Sequence, residues 1–425
     1  MKNKIEYKKI LLNNGLTLVN ISGLSTNSVT LSSYIRAGCR FDPKDRPGLS
    51  HFVEHMTFSG TKSFPNPRKV AQAIEKHGGW HDAFTWIEHQ RHTIHLPDFE
   101  FEVGIKLINE TLFNPLTKTR EIEKEKGVIN EEILTNKADP SRAVWDYVWF
   151  PLFFQGTTLA RPYSGTEQDV KKITDSDIKL FMSRYFLPSR TVLLVAGDLK
   201  LNYILEKLNK YIASRSNNLI IDKQENPIVP NIKKNILILK DDSYYQTSLS
   251  IGIKTVPFNS PSKYTFDILG AMLVGYFGSP LIQKLREKGG LIYSWNSFHD
   301  NLSAIGYLII NFSVAHKNVQ KVVSIITNEF KRFAQGKFSK NEIEMAKNHL
   351  KGKILVNTET GRDYIEWYGL QELLSPDNVI SPEEKIEIYK NIDVDEIKQT
   401  AKEYFVEKNI FIGAIGKIND STLKR

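Results

Sequence analysis

A single cysteine in 425 residues, Cys39, leaves no partner for an internal disulfide and fits a reducing compartment. Within AGCRF it is expected to be a small buried residue rather than a reactive thiol. Long apolar runs are missing too: none approaches the roughly 18 residues of a membrane span, and the start MKNKIEYKKILLNNG lacks the apolar stretch of a signal peptide. We therefore expect a cytoplasmic protein with no membrane span. Nor is charge of one sign gathered anywhere. The net charge is +9, but the basic residues alternate with acids, as in EIEKEK and KLREKGG, so no nucleic-acid interface is expected.

What is present is ordinary for a globular chain, 41% hydrophobic and 25% charged, and too long for one core. Alternation of apolar and small or polar residues in LTLVNISG and VTLSSYIRAG reads as strands, and helical periodicity starts at Leu49. RKVAQAIEKHGG, FEVGIKLINETLF and REIEKEKGVINEEIL read as helices, HDAFTWIE and RHTIHLP as strands, and TVLLVAGDL as a buried strand. Residues 214–234 carry two prolines and little periodicity, as a linker would. Beyond it the order repeats: NILILKDDSYYQTSLSIGIKT matches the opening strands, KYTFDILGAMLVGYF the first helix, and NIFIGAIGKI the buried strand. The expected fold class is α+β, with two duplicated, similar domains at 1–213 and 235–425, each a mainly antiparallel sheet packed with helices.

The segment HFVEHMTFSGT puts His51 and His55 one helical turn apart, about 40° from each other at about 100° per residue, with Glu54 about 60° to the other side of His51. Two imidazoles and a carboxylate on one face of an otherwise apolar segment are costly to bury unless a cation joins them. Zinc in a hydrolytic site takes about three protein ligands plus water, and a nearby glutamate takes the water's proton. The third ligand is best sought in EIEKEKGVINEEI, where Glu125 and Glu132 are nearly two turns apart and share a face with Val128 and Ile129. Glu121, Glu123 and Glu131 point elsewhere, balanced by Lys124 and Lys126. The second half carries no such triad, so one half would hold metal.

GLSHFVEHMTFSGTKSF, GGWHDAFT, EKEKGVINEEI, RPYSGTEQDVKKIT and VLLVAGDL, in this order, resemble the inverted zinc peptidases of the pitrilysin and mitochondrial processing peptidase group. That resemblance implies one Zn²⁺ per chain held by His51, His55 and Glu132, with 76 residues between the last two. It further implies Glu54 as general base and Glu125 as a support for the ligands. The strand residues Asp82, Ala83, Phe84 and Thr85 would pair with substrate through backbone groups, although Asp82 replaces the family's usual Asn. His77, His81, His89, His92 and His95 are read as surface or strand residues. In LREKGGLIYSW, Arg286 and Tyr293 match a pair that the family aims at the substrate carbonyl. The implied activity is endopeptidase cleavage of peptides or small unfolded proteins enclosed between two halves, by a homodimer or a heterodimer with a related chain. The alternative is a non-catalytic peptide-binding or scaffold subunit.

Overall fold

We describe a computed structural model of residues 5–212 and 228–419; most of the expected linker at 214–234 lies outside the described residues. Two sheets organise the chain. The first contains β1 (Glu6–Leu11), β2 (Thr17–Ser22), β3 (Ser28–Ile35), β4 (Trp80–Thr85), β5 (Gln90–Pro97) and β6 (Thr191–Ala196), in the order β1-β2-β6-β3-β5-β4. The second contains β7 (Ile236–Lys240), β8 (Thr247–Thr255), β9 (Ile292–Asn301), β10 (Gly306–Val314) and β11 (Ile410–Gly416), in the order β7-β11-β8-β10-β9. β2 pairs parallel with β6 and β7 with β11, while the other neighbours are antiparallel. The expected duplication is thus a repeat of strand order. β1, with an exposed and polar pattern that gave no sequence signal, extends the first sheet alone.

In the first half the helices are α1 (Leu49–Thr57), α2 (Pro67–Glu75), α3 (Phe101–Phe113) and α4 (Thr119–Ala138). Phe52, Val53 and Met56 of α1, Ile105 and Leu112 of α3, and Ile129 of α4 are buried in one core with Leu31, Ile94 and Leu193 from the sheet. Each such side chain contributes about 1.5–3 kcal/mol when removed from water, so this core fixes α1 and α4 in place.

Packing divides the chain into two compact units that do not follow chain order. The first runs to Ile133, resumes at Tyr163 and adds Thr358–Val379; the second takes Leu134–Pro162, the chain up to Asn357, and Ile380 onward. Two segments therefore cross the division expected at 213 and 235. In the first unit the helix Gly361–Leu374 covers the sheet, packing Tyr364, Ile365 and Tyr368 on Val19, Ile21, Tyr34 and Val192. Gly369 makes this close approach possible: a Cβ there would meet the Tyr34 ring at 2.2 Å. In the second unit Ala143, Val144 and Val148, from the helical segments Pro140–Val144 and Trp145–Trp149, pack with Tyr244 and Ile415. Each sheet is covered by a helix from the other half of the chain.

One stretch bears on the expectation that no segment spans a membrane. The stretch Lys263–Glu287 is long and apolar enough, by length and composition, to cross a membrane, with a mean hydropathy of 1.4 in its most apolar window. Yet 67% of that window is buried, and the backbone turns extended at Tyr276 (φ −144°, ψ 159°), which interrupts the helix. A span needs about 20 continuous helical residues, so the stretch reads as core.

Candidate metal centre and active site

α1 begins at Gly48, whose φ of +81° is left-handed and whose missing side chain leaves room for the Ser164 carbonyl, 2.2 Å from where a Cβ would sit. Its first turn is held from a distance. Both oxygens of the buried Asp42 carboxylate accept backbone N–H groups, of Gly48 at 2.8 Å and Ser50 at 2.7 Å. Helix N-termini leave such donors unsatisfied, and Asp42 does what a local cap would do. No spacing rule pointed to it, because the capping residue lies outside the usual position.

From this anchored helix His51, buried, and His55, half-buried, project toward α4. The Nε2 atoms of His51 and His55 lie 3.6 and 3.5 Å from the same Glu132 oxygen. One ligand atom from each of the three residues lies within 4.8 Å of the others. His55 Nδ1 faces Glu125 at 3.3 Å, and Tyr163 donates from its hydroxyl to the second oxygen of Glu132 at 3.2 Å, with its ring edge-on to His51. Glu54 receives a hydrogen bond from the Thr85 hydroxyl. The structure thus brings His51, Glu54, His55, Glu125 and Glu132 together. Ile129 is buried on the face of α4 that carries the two glutamates, whereas Val128, expected beside it, is 44% exposed. Tyr163 was missed although it stands inside RPYSGT; a tyrosine announces no role until its partner is known.

The residues fit a metal. Tetrahedral bonds of about 2.0–2.1 Å place ligand atoms about 3.3 Å apart, close to the separations from Glu132 to the two imidazoles, and two His with one Glu is a known catalytic zinc set. Electrostatics agree. Burial, helped by the neighbouring His55, pushes His51 down to about 4 against the pull of Glu132. At His55 burial also pulls downward, but hydrogen bonds to Glu125 and Glu132 and the charge of Glu54 prevail and raise it to about 9. At Glu132 burial is outweighed by the His55 hydrogen bond, the two imidazole charges and Tyr163, which bring it down to about 2. Glu54 is raised by burial, with the Thr85 hydrogen bond and His55 acting the other way. Carboxylates from two helices converge on the two imidazoles.

β4 is the last strand of its sheet order. Asp82 pairs with Arg91 at 2.9 Å, so its charge is already met within the sheet, and Arg91 also reaches Glu366 at 3.1 Å. Ala83 is half-buried, Phe84 is exposed and stacks on Trp86, and Thr85 is buried with its hydroxyl engaged by Glu54. Of the five other histidines before residue 100, His77 pairs with Glu100, His95 meets Thr30, and His81 packs on Phe58. His89 and His92 are buried, and His92 reaches Thr57 of α1 at 3.4 Å.

In the second unit Arg286 stacks between Phe277 and Trp295, its guanidinium carbon 5.5 Å from each ring centre. Tyr293 is 76% exposed on β9, the last strand of its own sheet. The helix Lys263–Gly270 takes the place of α1 and carries Asp267. That carboxylate is bound by His299 at 2.7 Å, the Tyr389 hydroxyl at 2.6 Å and Lys385 at 3.2 Å.

Residues 18–167 match the family model described as insulinase (peptidase family M16), and residues 172–350 match that described as the peptidase M16 inactive domain. The chain belongs to peptidase family M16. It is 26% identical to the uncharacterized zinc protease YmxG of Bacillus subtilis over 86% of this chain and 88% of that one. It is also 26% identical to a probable mitochondrial-processing peptidase subunit beta of Arabidopsis thaliana, over 98% of this chain and 79% of that one. A protease structure from Helicobacter pylori shares the M16 fold with a TM-score of 0.85, at 19% identity, over 97% of this chain and 99% of that one.

Proposed function

We propose that this M16 chain is a zinc-dependent endopeptidase that hydrolyses peptides or unfolded segments of small proteins. The observation that carries the reading is the approach of both imidazole Nε2 atoms to one Glu132 oxygen, at 3.6 and 3.5 Å. The names of its relatives as zinc proteases support the same chemistry. His51, His55 and Glu132 would hold one ion. Bound there, zinc would supply Lewis acidity toward water and the scissile carbonyl. Glu54, whose carboxyl is raised by burial, takes a proton from the attacking water and delivers it to the leaving amine. Glu125 holds His55 by its second nitrogen, which keeps the first one aimed at Glu132. Tyr163 fixes the other Glu132 oxygen.

In this reading the β4 edge receives the substrate as an added strand through backbone groups of Asp82, Ala83, Phe84 and Thr85. Because Asp82 is paired with Arg91, its side chain gives no preference for basic peptides. Arg286 and Tyr293 are assigned to stabilising the developing oxyanion. The naming of a relative as one subunit of a processing peptidase supports assembly as a homodimer or with a related chain. A cytoplasmic site of action is part of the same proposal. The test is metal analysis of the purified protein combined with a fluorogenic peptide panel. About one zinc per chain and chelator-sensitive cleavage are expected; less than half an equivalent after zinc repletion would overturn the proposal. Full zinc with no cleavage of any peptide would favour the non-catalytic, peptide-binding subunit.

A further inference from the structure

Thr85 is the only buried residue of β4, the strand to which the substrate is assigned, and it points its hydroxyl at a Glu54 oxygen. Among the described residues it is the side chain that donates to this carboxylate. Its own position is unusually well fixed. The turn that follows closes through Trp86 N–H to the His89 carbonyl at 2.8 Å. That turn is bound to the segment after β3 by Cys39 N–H to Trp86 O at 3.0 Å and Arg40 N–H to Ile87 O at 2.9 Å. Gly38 lets the two backbones meet, since a Cβ there would fall 2.3 Å from the Trp86 carbonyl. Beneath the turn the buried Glu88 carboxylate is paired with Arg40.

We propose that Thr85 is the positioning residue of the general base, so that the strand receiving the substrate also orients Glu54. The inference rests on the endopeptidase reading above. A carboxylate on a helix surface has several rotamers, and a flexible glutamate would spend much of its time turned away from the attacking water. One hydrogen bond from a rigidly held hydroxyl selects a single rotamer, and it does so from the element that fixes the scissile bond. Misplacement of a catalytic group by about 1 Å costs on the order of 100-fold in rate. The threonine methyl is not needed for this; the hydroxyl is.

The test compares Thr85→Val, which keeps the shape and removes the donor, with Thr85→Ser, which keeps the donor, and Thr85→Ala, should valine disturb folding. Zinc content, thermal midpoint, kcat and KM are measured on the same peptide for each. We expect Thr85→Val to lower kcat by about 10- to 100-fold, with KM changed by less than about threefold and zinc still near one per chain. Thr85→Ser should recover most of the loss, and Thr85→Ala should behave as valine. A crystal structure of the valine variant should show the Glu54 carboxylate moved from its place beside residue 85. Wild-type kcat in Thr85→Val and Thr85→Ala overturns the inference while leaving the peptidase reading intact. So does a loss that falls in KM or zinc content, or one that serine does not recover. A wild-type protein that carries zinc yet cleaves nothing removes the endopeptidase reading itself, and this inference with it, before any variant is made.

Discussion

The two units run their strands in the same order, yet the helix that follows the third strand of one carries His51, Glu54 and His55, and the equivalent helix of the other carries Asp267. Both helices bury charge, and the difference lies in what answers it. Asp267 meets an imidazole, a phenol and an ammonium, and although burial pulls the other way these hold its carboxyl well below the usual range. The cluster is closed and needs nothing more. Around His55 stand three carboxylates, Glu54, Glu125 and Glu132. A duplicated scaffold thus supports two arrangements of buried charge, one self-compensated and one whose His51, His55 and Glu132 could hold a cation.

Removing the base should sharpen the contrast most. Glu54→Gln is expected to lower peptide turnover by about 100- to 10,000-fold while the protein keeps one zinc, because a general base is lost and no ligand is. Activity near wild type would move Glu54 to a structural role. Next, Glu132→Gln should release zinc, whereas Glu125→Gln should cost about 10- to 100-fold in zinc affinity or activity, as expected of a group that only steadies His55. The reverse order would reassign the third ligand within α4. Tyr293→Phe should lower turnover by about 100-fold with zinc content and melting unchanged, the cost of one oxyanion donor. No change in turnover would remove Tyr293 from the chemistry.

The closed cluster predicts the opposite signature. Asp267→Asn leaves Lys385 without its counter-charge and should cost on the order of 3 kcal/mol of stability in urea denaturation. Zinc content should not move, and if it falls with stability the two clusters are not the separate solutions described above.

Much of this was legible in the sequence because the signals were local. The i and i+4 histidines, the glutamates seven apart and the helical span of FEVGIKLINETLF depend on one helix at a time, and α3 occupies that span. The repeat was visible for the same reason, as two matching orders of strand and helix. Three features were not visible, each of which needs a partner distant in the chain. An amphipathic helix declares that it has an apolar face, not which sheet will cover it, so the exchange of Gly361–Leu374 and Pro140–Trp149 between the two halves of the chain left no trace. Asp42 caps α1 from six residues ahead of Gly48, where no capping rule looks. Thr85 read as one more strand residue, since a buried hydroxyl shows its purpose only when its acceptor, 31 positions away, is in view.

The smallest expected effect separates the scaffold of the metal unit from its ligands. His92 is fully buried beneath α1, contacting Thr57 and Gln90, and burial, aided by the charge of Arg91, lowers it to about 3. The unfolded chain binds a proton at this residue near the usual histidine pKa of about 6.5, and the folded chain does not until about 3. Stability from this group is therefore complete above about 6.5 and lost as pH falls toward 3, by at most about 1.4 kcal/mol per pH unit. His55 has the opposite sign. Raised to about 9, it stabilises the metal-free fold fully below about 6.5 and progressively less as pH rises through 9. Urea midpoints of the metal-free protein measured from pH 5 to 9.5 should therefore fall at both ends. His51 and His89, also lowered by burial, share the acid limb, so His92→Asn should make that limb shallower and leave the alkaline limb in place, while His55→Gln should flatten the alkaline limb. An acid limb unchanged in His92→Asn would mean that protonation of His92 does not oppose folding, and that α1 rests on its apolar contacts and Asp42 alone.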